Sequence, residues 1–286
     1  MLTLHRAASF ASRVGQLSSN VRPHKMHDPA ARMFLGPALA GVVPQMRAKY
    51  KEAFDFAEAL NEYANTKTLD IVAKRTNRQQ VVVAALLPRL FTAYQGCVLL
   101  SERGLASEAI QLARKVLEVT FKVVAIARSD DIAKKYIEAD EVSRRDVLKK
   151  LRSLTTVSRT AEELQSLERR HAELKAAVDA QQLHAPTTRN YAEWAGLLDY
   201  YNTVYSYFSQ AVHATIRDIE GTLELDEDGD AVAFLYGPSE EDQPLLLNTA
   251  SESVVIALRA TFDLFPTDTT AGLQHLYRRL QNMLAS

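Results

Sequence analysis

The segment 107–128, SEAIQLARKVLEVTFKVVAIAR, constrains the fold more than any other stretch of this chain. Projected at about 100° per residue it is apolar over well more than half of its circumference. Leu112, Val116, Val119, Val123, Leu117, Phe121 and Val124 supply the apolar surface, and Gln111, Arg114, Lys115, Glu118 and Lys122 form the one polar arc. A helix of that kind has to be surrounded by other elements, so it predicts a central helix in a bundle. Arg114 and Glu118 stand one helical turn apart in the arc, next to Ile110, Phe121 and Ala125. They are expected to be a partly buried i,i+4 pair.

The remaining sequence agrees with a mainly helical chain. Ten glycines and nine prolines in 286 residues leave little punctuation, which favours long regular elements. Helical spacing predicts helices over 44–65, 78–103, 130–155 and 161–182. It also predicts a short helix with Trp194, a long one ending at Gly221, and two more over about 245–265 and 269–284. Pro44 suits a first turn. Pro88 is expected to kink or break its helix near 84–87, and Gly104 to cap the C-terminus. Ser107 and Asn190 are the expected N-caps of the helices that follow them, and Thr160 with Glu163 a capping box. TLELD, EDGD and AVAFLYGP predict one β-hairpin near 222–236 with an Asp-Gly turn. The expected fold is therefore all-α, a multi-helix bundle with one small β-hairpin. Residues 44–286 are read as a single helical domain, with a projecting charged helical hairpin at 130–182.

Residues 1–43 are read as a largely irregular leader. The first 27 residues carry Arg6, Arg13, Arg22 and Lys25 with no acid before Asp28. That composition resembles a mitochondrial presequence; the plainer readings are a disordered leader or a start at Met26 or Met33. Cytoplasmic residence is the principal expectation. The single cysteine, Cys97, cannot build a disulfide framework within one chain. The apolar run 81–88 is too short to span a bilayer, so no membrane partner is expected.

The function classes narrow by elimination. A formal net charge of −1 gives no global attraction for nucleic acid. No glycine-rich phosphate loop, GxSxG elbow or HExxH spacing occurs, so neither cofactor nor metal is expected. Asp226, Asp228 and Asp230 put the glycine in the wrong place for a calcium loop and read as a turn. Between 141 and 175, nine Lys or Arg face six acids. From Asp218 to Glu252 there are eleven acids and no Lys or Arg. The acidic belt reads as a solvated surface, or as a partner for the basic region in the same or another molecule.

One constellation carries chemistry. In YNTVYSYFSQAVHATIRDIE, 201–220, Tyr201, Tyr205, Ser209 and His213 recur every fourth residue. On a helix they share a stripe beside Val204, Phe208 and Val212, with Tyr205 nearest the core and His213 nearest solvent. Together with Arg114 and Glu118 they could run acid–base chemistry without a metal. His213 would take or give a proton. Arg114 would stabilise an anionic transition state. Glu118 would orient one of them, and Ser209 and Tyr205 would position substrate or imidazole. The bland reading is a surface ion pair and a structural histidine.

The order of GLASEAIQLARKVLE at 104–118, a Trp194 helix, Y-x-x-x-Y-x-x-x-S-x-x-x-H and a hairpin resembles a bacterial family of helical proteins catalogued only as a domain of unknown function. The likeness covers about residues 80–265. It implies a site on Arg114, Glu118, Tyr205, Ser209 and His213, and names no reaction. The chain is also loosely similar to HEPN helical bundles, many of which are toxin or antiphage ribonucleases marked by an arginine a few residues ahead of a histidine. It departs from them, because Ser206, Tyr207 and Phe208 stand where that arginine would precede His213. Arg22 and His27 match only formally, around Pro23 in the leader. Through these likenesses two functions are expected. One is a metal-independent enzyme acting on RNA or a nucleotide, of a bacterial defence or toxin type. The other is a non-catalytic helical module binding a protein partner or a second copy of itself, with the Arg, Glu and His as a structural network.

Overall fold

The computed structural model describes residues 39–156, 158–212, 223–226, 230–234, 237–240, 242–265 and 270–285. The helices are α1 (Leu39–Lys49), α2 (Lys51–Thr68), α3 (Arg78–Glu102), α4 (Ala106–Arg128), α5 (Asp130–Ser153), α6 (Ala161–Gln181) and α7 (Thr188–Trp194). Helix α8 follows in three pieces: Leu198–Tyr200, a π-helical turn Tyr201–Tyr205, and Ser206–Val212. Strands β1 (Leu223–Leu225) and β2 (Ala231–Phe234) come next, then α9 (Gln243–Leu264) and α10 (Thr270–Ala285).

Helix α4 is the centre of the bundle, as its apolar circumference requires. Ala113, Val116, Phe121, Val123 and Ile126 are fully buried. It packs chiefly against α3 and α9, with α7, α8 and α5 covering the rest. Buried hydrogen bonds tie these layers together. Tyr94 on α3 meets Ser251 on α9 at 2.8 Å, and Thr120 on α4 donates to the Ser253 carbonyl at 3.2 Å. One connected apolar cluster runs from Val42 in α1 to Leu280 in α10.

The helix ends position the elements around α4. Arg103 caps α3, and Gly104 adopts φ +70°, a left-handed conformation that disfavours a side chain. Its N–H returns to Ser101 at 3.0 Å and that of Leu105 to Leu100 at 3.0 Å, the paired bonds of a Schellman motif. Gln79 on α3 donates to the Ile126 and Ala127 carbonyls, both at 2.8 Å, and so satisfies the open end of α4. Arg128 donates to the Ala195 carbonyl and holds the end of α7.

Several boundaries differ from those expected. The chain is already helical from Leu39, so Pro44 lies inside α1, and Tyr50 (φ −111°, ψ 34°) separates α1 from α2. Residues 1–38, the rest of the segment read as a leader, lie outside the described residues. Helix α3 does not break at Pro88. The proline and the neighbouring Ala85 and Arg89 are exposed, so its ring sits on the outer face and the lost hydrogen bond falls beside water. Ser107 is inside α4 and Leu105 precedes the helix, because the Schellman turn delivers the chain into α4 sooner. The Trp194 helix starts at Thr188. Its cap is Thr187, and Asn190 is the third residue of a capping box with it. The Thr160–Glu163 box opens α6 as expected.

The fold is the all-α bundle expected, with one short antiparallel hairpin in which Leu223 pairs with Phe234. Asp226 Oδ1 accepts from the Asp230 N–H at 2.8 Å, so this aspartate closes the turn. Helices α5 and α6 pair as a charged hairpin, with His171 buried in its seam. Arg152 Nη1 lies 2.9 Å from His171 Nδ1. A guanidinium only donates, so Nδ1 accepts. The run 81–88 belongs to a longer helix: α3 and α9 are both long and apolar enough to cross a membrane by length and composition. Their apolar windows are 56% and 61% buried inside the bundle.

Candidate functional site

The polar arc of α4 meets α8 at its π-helical turn. A π turn admits one residue more than an α turn and widens the helix locally; such turns are frequent at functional sites. Here the turn ends on Tyr205, which is buried against Phe121 of α4 with ring centroids 6.0 Å apart. Ser206 Oγ donates to the Tyr201 carbonyl at 2.8 Å, a side-chain bond to one of the carbonyls of the turn. Tyr201 stacks on Tyr205 with centroids 5.0 Å apart and planes 17° from parallel.

Four side chains then close a network across the two helices. Arg114 Nη2 donates to the Tyr205 hydroxyl at 2.6 Å, and Arg114 Nε donates to Ser209 Oγ at 3.0 Å. The Tyr205 hydroxyl donates to Glu118 Oε1 at 2.9 Å. Glu118 Oε1 also faces Arg114 Nη2 at 3.2 Å, and Oε2 accepts from Lys115 Nζ at 3.3 Å. The Arg114 guanidinium carbon lies 4.8 Å from the Tyr205 ring centroid. Ser209 spends its proton on the Tyr205 carbonyl at 2.7 Å, so it faces Arg114 as an acceptor.

The electrostatics follow from this placement. Burial pushes the Tyr205 phenol above its ordinary pKa, and the Glu118 carboxylate adds to the shift; Arg114 opposes it. Tyr205 is thus a neutral donor. The Arg114 and Glu118 side chains keep 24% and 14% of their exposure, so the network opens to solvent along one edge. The described contacts of Arg114 use Nε and Nη2 and leave Nη1 for a further acceptor.

Of the residues the sequence nominates, Arg114, Glu118, Tyr205 and Ser209 come together. His213 lies outside the described residues, which end in α8 at Val212. Sequence reasoning missed the part played by Lys115, although its position three residues before Glu118 on the same arc was a usable signal. It also missed Thr188 of α7, whose hydrogen bond to Tyr205 joins Arg114 in opposing the rise of its pKa. Among the described residues no group of three His, Cys, Asp or Glu could hold a metal ion. Cys97 is buried in α3, and burial pushes its thiol up to about 12, which makes it inert.

The model of the family of unknown function DUF5677 matches residues 80–230. The chain belongs to this family. The matched span starts in α3 and ends in the hairpin turn, so in this chain it covers α4, the π turn, Arg114, Glu118, Tyr205 and Ser209. No curated protein and no solved structure matches the chain.

Proposed function

We propose that this DUF5677 protein is a metal-independent enzyme acting on RNA or a nucleotide, of a bacterial defence or toxin type related in chemistry to the HEPN ribonucleases. The observation that carries the reading is the guanidinium of Arg114. It is fixed from two sides by Tyr205 and Ser209 and is still partly open to solvent. A cation held in this way needs little reorganisation to stabilise charge developing on a phosphoryl group. The stacked Tyr201 and Tyr205 rings add an aromatic surface beside it, as nucleotide sites commonly do. Ser209 and Tyr205 act as positioning residues for Arg114. His213, the residue that follows the described part of α8, is assigned the proton transfer.

The test is incubation of total RNA with purified wild type and His213→Ala in excess chelator. Cleavage by the wild type and none by a normally folded His213→Ala is the expected result. No cleavage by either protein overturns the ribonuclease reading.

A second reading has its own support. Glu118 neutralises Arg114 within the network, and the hydroxyl donors in it each find an acceptor. Such closure suits a structural clamp that fixes α8 on α4 in a non-catalytic module binding a protein partner or a second copy. In that case Arg114→Ala loses stability, and no RNA-dependent property follows the residue.

A further inference from the structure

We propose that Lys122 forms a second phosphate position on the stripe that carries Arg114 and Lys115, so that the site takes single-stranded RNA in preference to a free mononucleotide. This rests on the nucleotide-directed reading of the same site. It concerns which substrate is held, and its test reads binding separately from cleavage.

Helix α4 is buried along most of its length and shows solvent one polar stripe, made of Gln111, Arg114, Lys115, Glu118 and Lys122. That stripe holds three cations and one carboxylate. Glu118 is shared by Arg114 and Lys115. Lys122 stands one turn further on, and among the described residues it has no ion-pair partner. Its ammonium lies instead 5.8 Å from the centre of the Tyr191 ring on α7. A half-buried ammonium without a carboxylate is costly unless something anionic completes it. Burial and the charge of Lys115 both depress its pKa, and Glu118 opposes them only in part. The excess positive charge therefore sits at this end of the stripe.

The spacing selects the ligand. Lys115 and Lys122 are two turns apart on one face, about 10 Å along the axis at 1.5 Å per residue. A mononucleotide carries one phosphate and is held at the Arg114–Lys115 end of the stripe, whereas a strand with successive phosphates reaches Lys122 as well. The net charge of −1 does not oppose this, because the attraction comes from a local stripe. The Tyr191 ring face attracts the ammonium without neutralising its charge.

The experiment is fluorescence anisotropy of a short labelled single-stranded RNA titrated with the protein across a salt series. It is done in a His213→Ala background so that the RNA stays intact, and AMP binding is measured in parallel. Lys122→Gln is expected to weaken RNA binding about tenfold and to lower the salt slope by about 0.7, one phosphate contact on a single strand. Lys122→Arg should restore both, and AMP affinity should not change. Lys115→Gln, at an exposed position that carries no packing, should lower the slope in the same sense. An unchanged slope in Lys122→Gln, an equal loss for AMP, or no RNA binding by the parent overturns the assignment. RNA binding without wild-type cleavage would leave this assignment standing and remove the ribonuclease reading. Cleavage with binding indifferent to Lys122 would do the reverse.

Discussion

The Tyr205 hydroxyl donates to Glu118 Oε1 at 2.9 Å while accepting from Arg114 Nη2. A carboxylate accepts only, so the direction of this proton is settled by the chemistry of its neighbours. Tyr205→Phe keeps the ring against Phe121 and under the guanidinium but removes both bonds. The expected cost is about 1.5–3 kcal/mol, the range for hydrogen bonds to charged groups, because Glu118 and Arg114 lose a shared partner at a half-buried site. A shift of the urea midpoint with an unchanged m-value measures it; a midpoint equal to wild type would mean water replaces the hydroxyl without loss.

Arg114 separates the two functional readings. Lysine at this position carries the charge but cannot reach Ser209 and Tyr205 together, since it lacks the planar fork. Under the enzymatic reading Arg114→Lys folds with a melting temperature near wild type and loses RNA cleavage about a hundredfold or more, the scale for removing one oriented electrostatic donor. Under the structural reading its thermal stability drops as far as that of Arg114→Ala. A double-mutant cycle of Arg114→Ala with Glu118→Gln should give a coupling of about 0.5–3 kcal/mol, because the two side chains touch.

Cys97 yields a prediction in pH. Its thiol is raised from 9.0 to about 12 by burial, so the folded state holds the proton over a range in which the unfolded chain releases it. The contribution to stability is therefore complete below pH 9 and falls as pH rises from 9 toward 12. Tyr205 shifts in the same direction and adds to the alkaline loss. Native protein at about pH 8, below the ordinary thiol pKa, should resist maleimide for as long as it stays folded, with modification appearing only at the rate of unfolding. Prompt labelling of the native protein, followed by intact mass, would contradict the burial of the thiol.

The legible part of this molecule is the part dictated by periodicity. The apolar circumference of 107–128 required a central helix, and the turn-spaced Arg114 and Glu118 fell in its polar arc beside the apolar border, where the structure half-buries them. Four-residue spacing likewise placed Tyr205 inward and Ser209 at the border. What periodicity cannot carry is a departure from the α-helical period. The π turn over Tyr201–Tyr205 has no residue signature of its own, and neither does the stacking of Tyr201 on Tyr205 that it accompanies. Pro88 leaves α3 unbroken for a related reason. Its effect depends on which face of α3 it occupies, and that is decided by packing. Thr187 was overlooked as a cap because Asn190, three residues later, offers the same capping chemistry.

The π turn itself can be removed. Asn202 is exposed and lies within it, so its deletion shortens the chain by the one residue that distinguishes a π turn from an α turn. Two registers can result. If the 198–201 segment rotates, Tyr201 turns by about 100° away from the Tyr205 face, and Arg114 keeps both partners. If the 203–212 segment rotates, Ser209 and Tyr205 swing off Arg114, and Glu118 loses its phenol. The chain turns at Gly196, φ +66°, just ahead of α8, whereas Phe208 is fully buried, so the earlier segment is expected to rotate. Deletion of Asn202 is therefore expected to keep helicity and most of the stability while abolishing the Tyr201–Tyr205 stack, read as a changed near-ultraviolet circular dichroism. RNA binding should weaken and nucleotide-independent stability should hold. Collapse of the fold on deletion would show instead that the turn is required for packing α8 on α4, and would shift the weight toward the structural clamp.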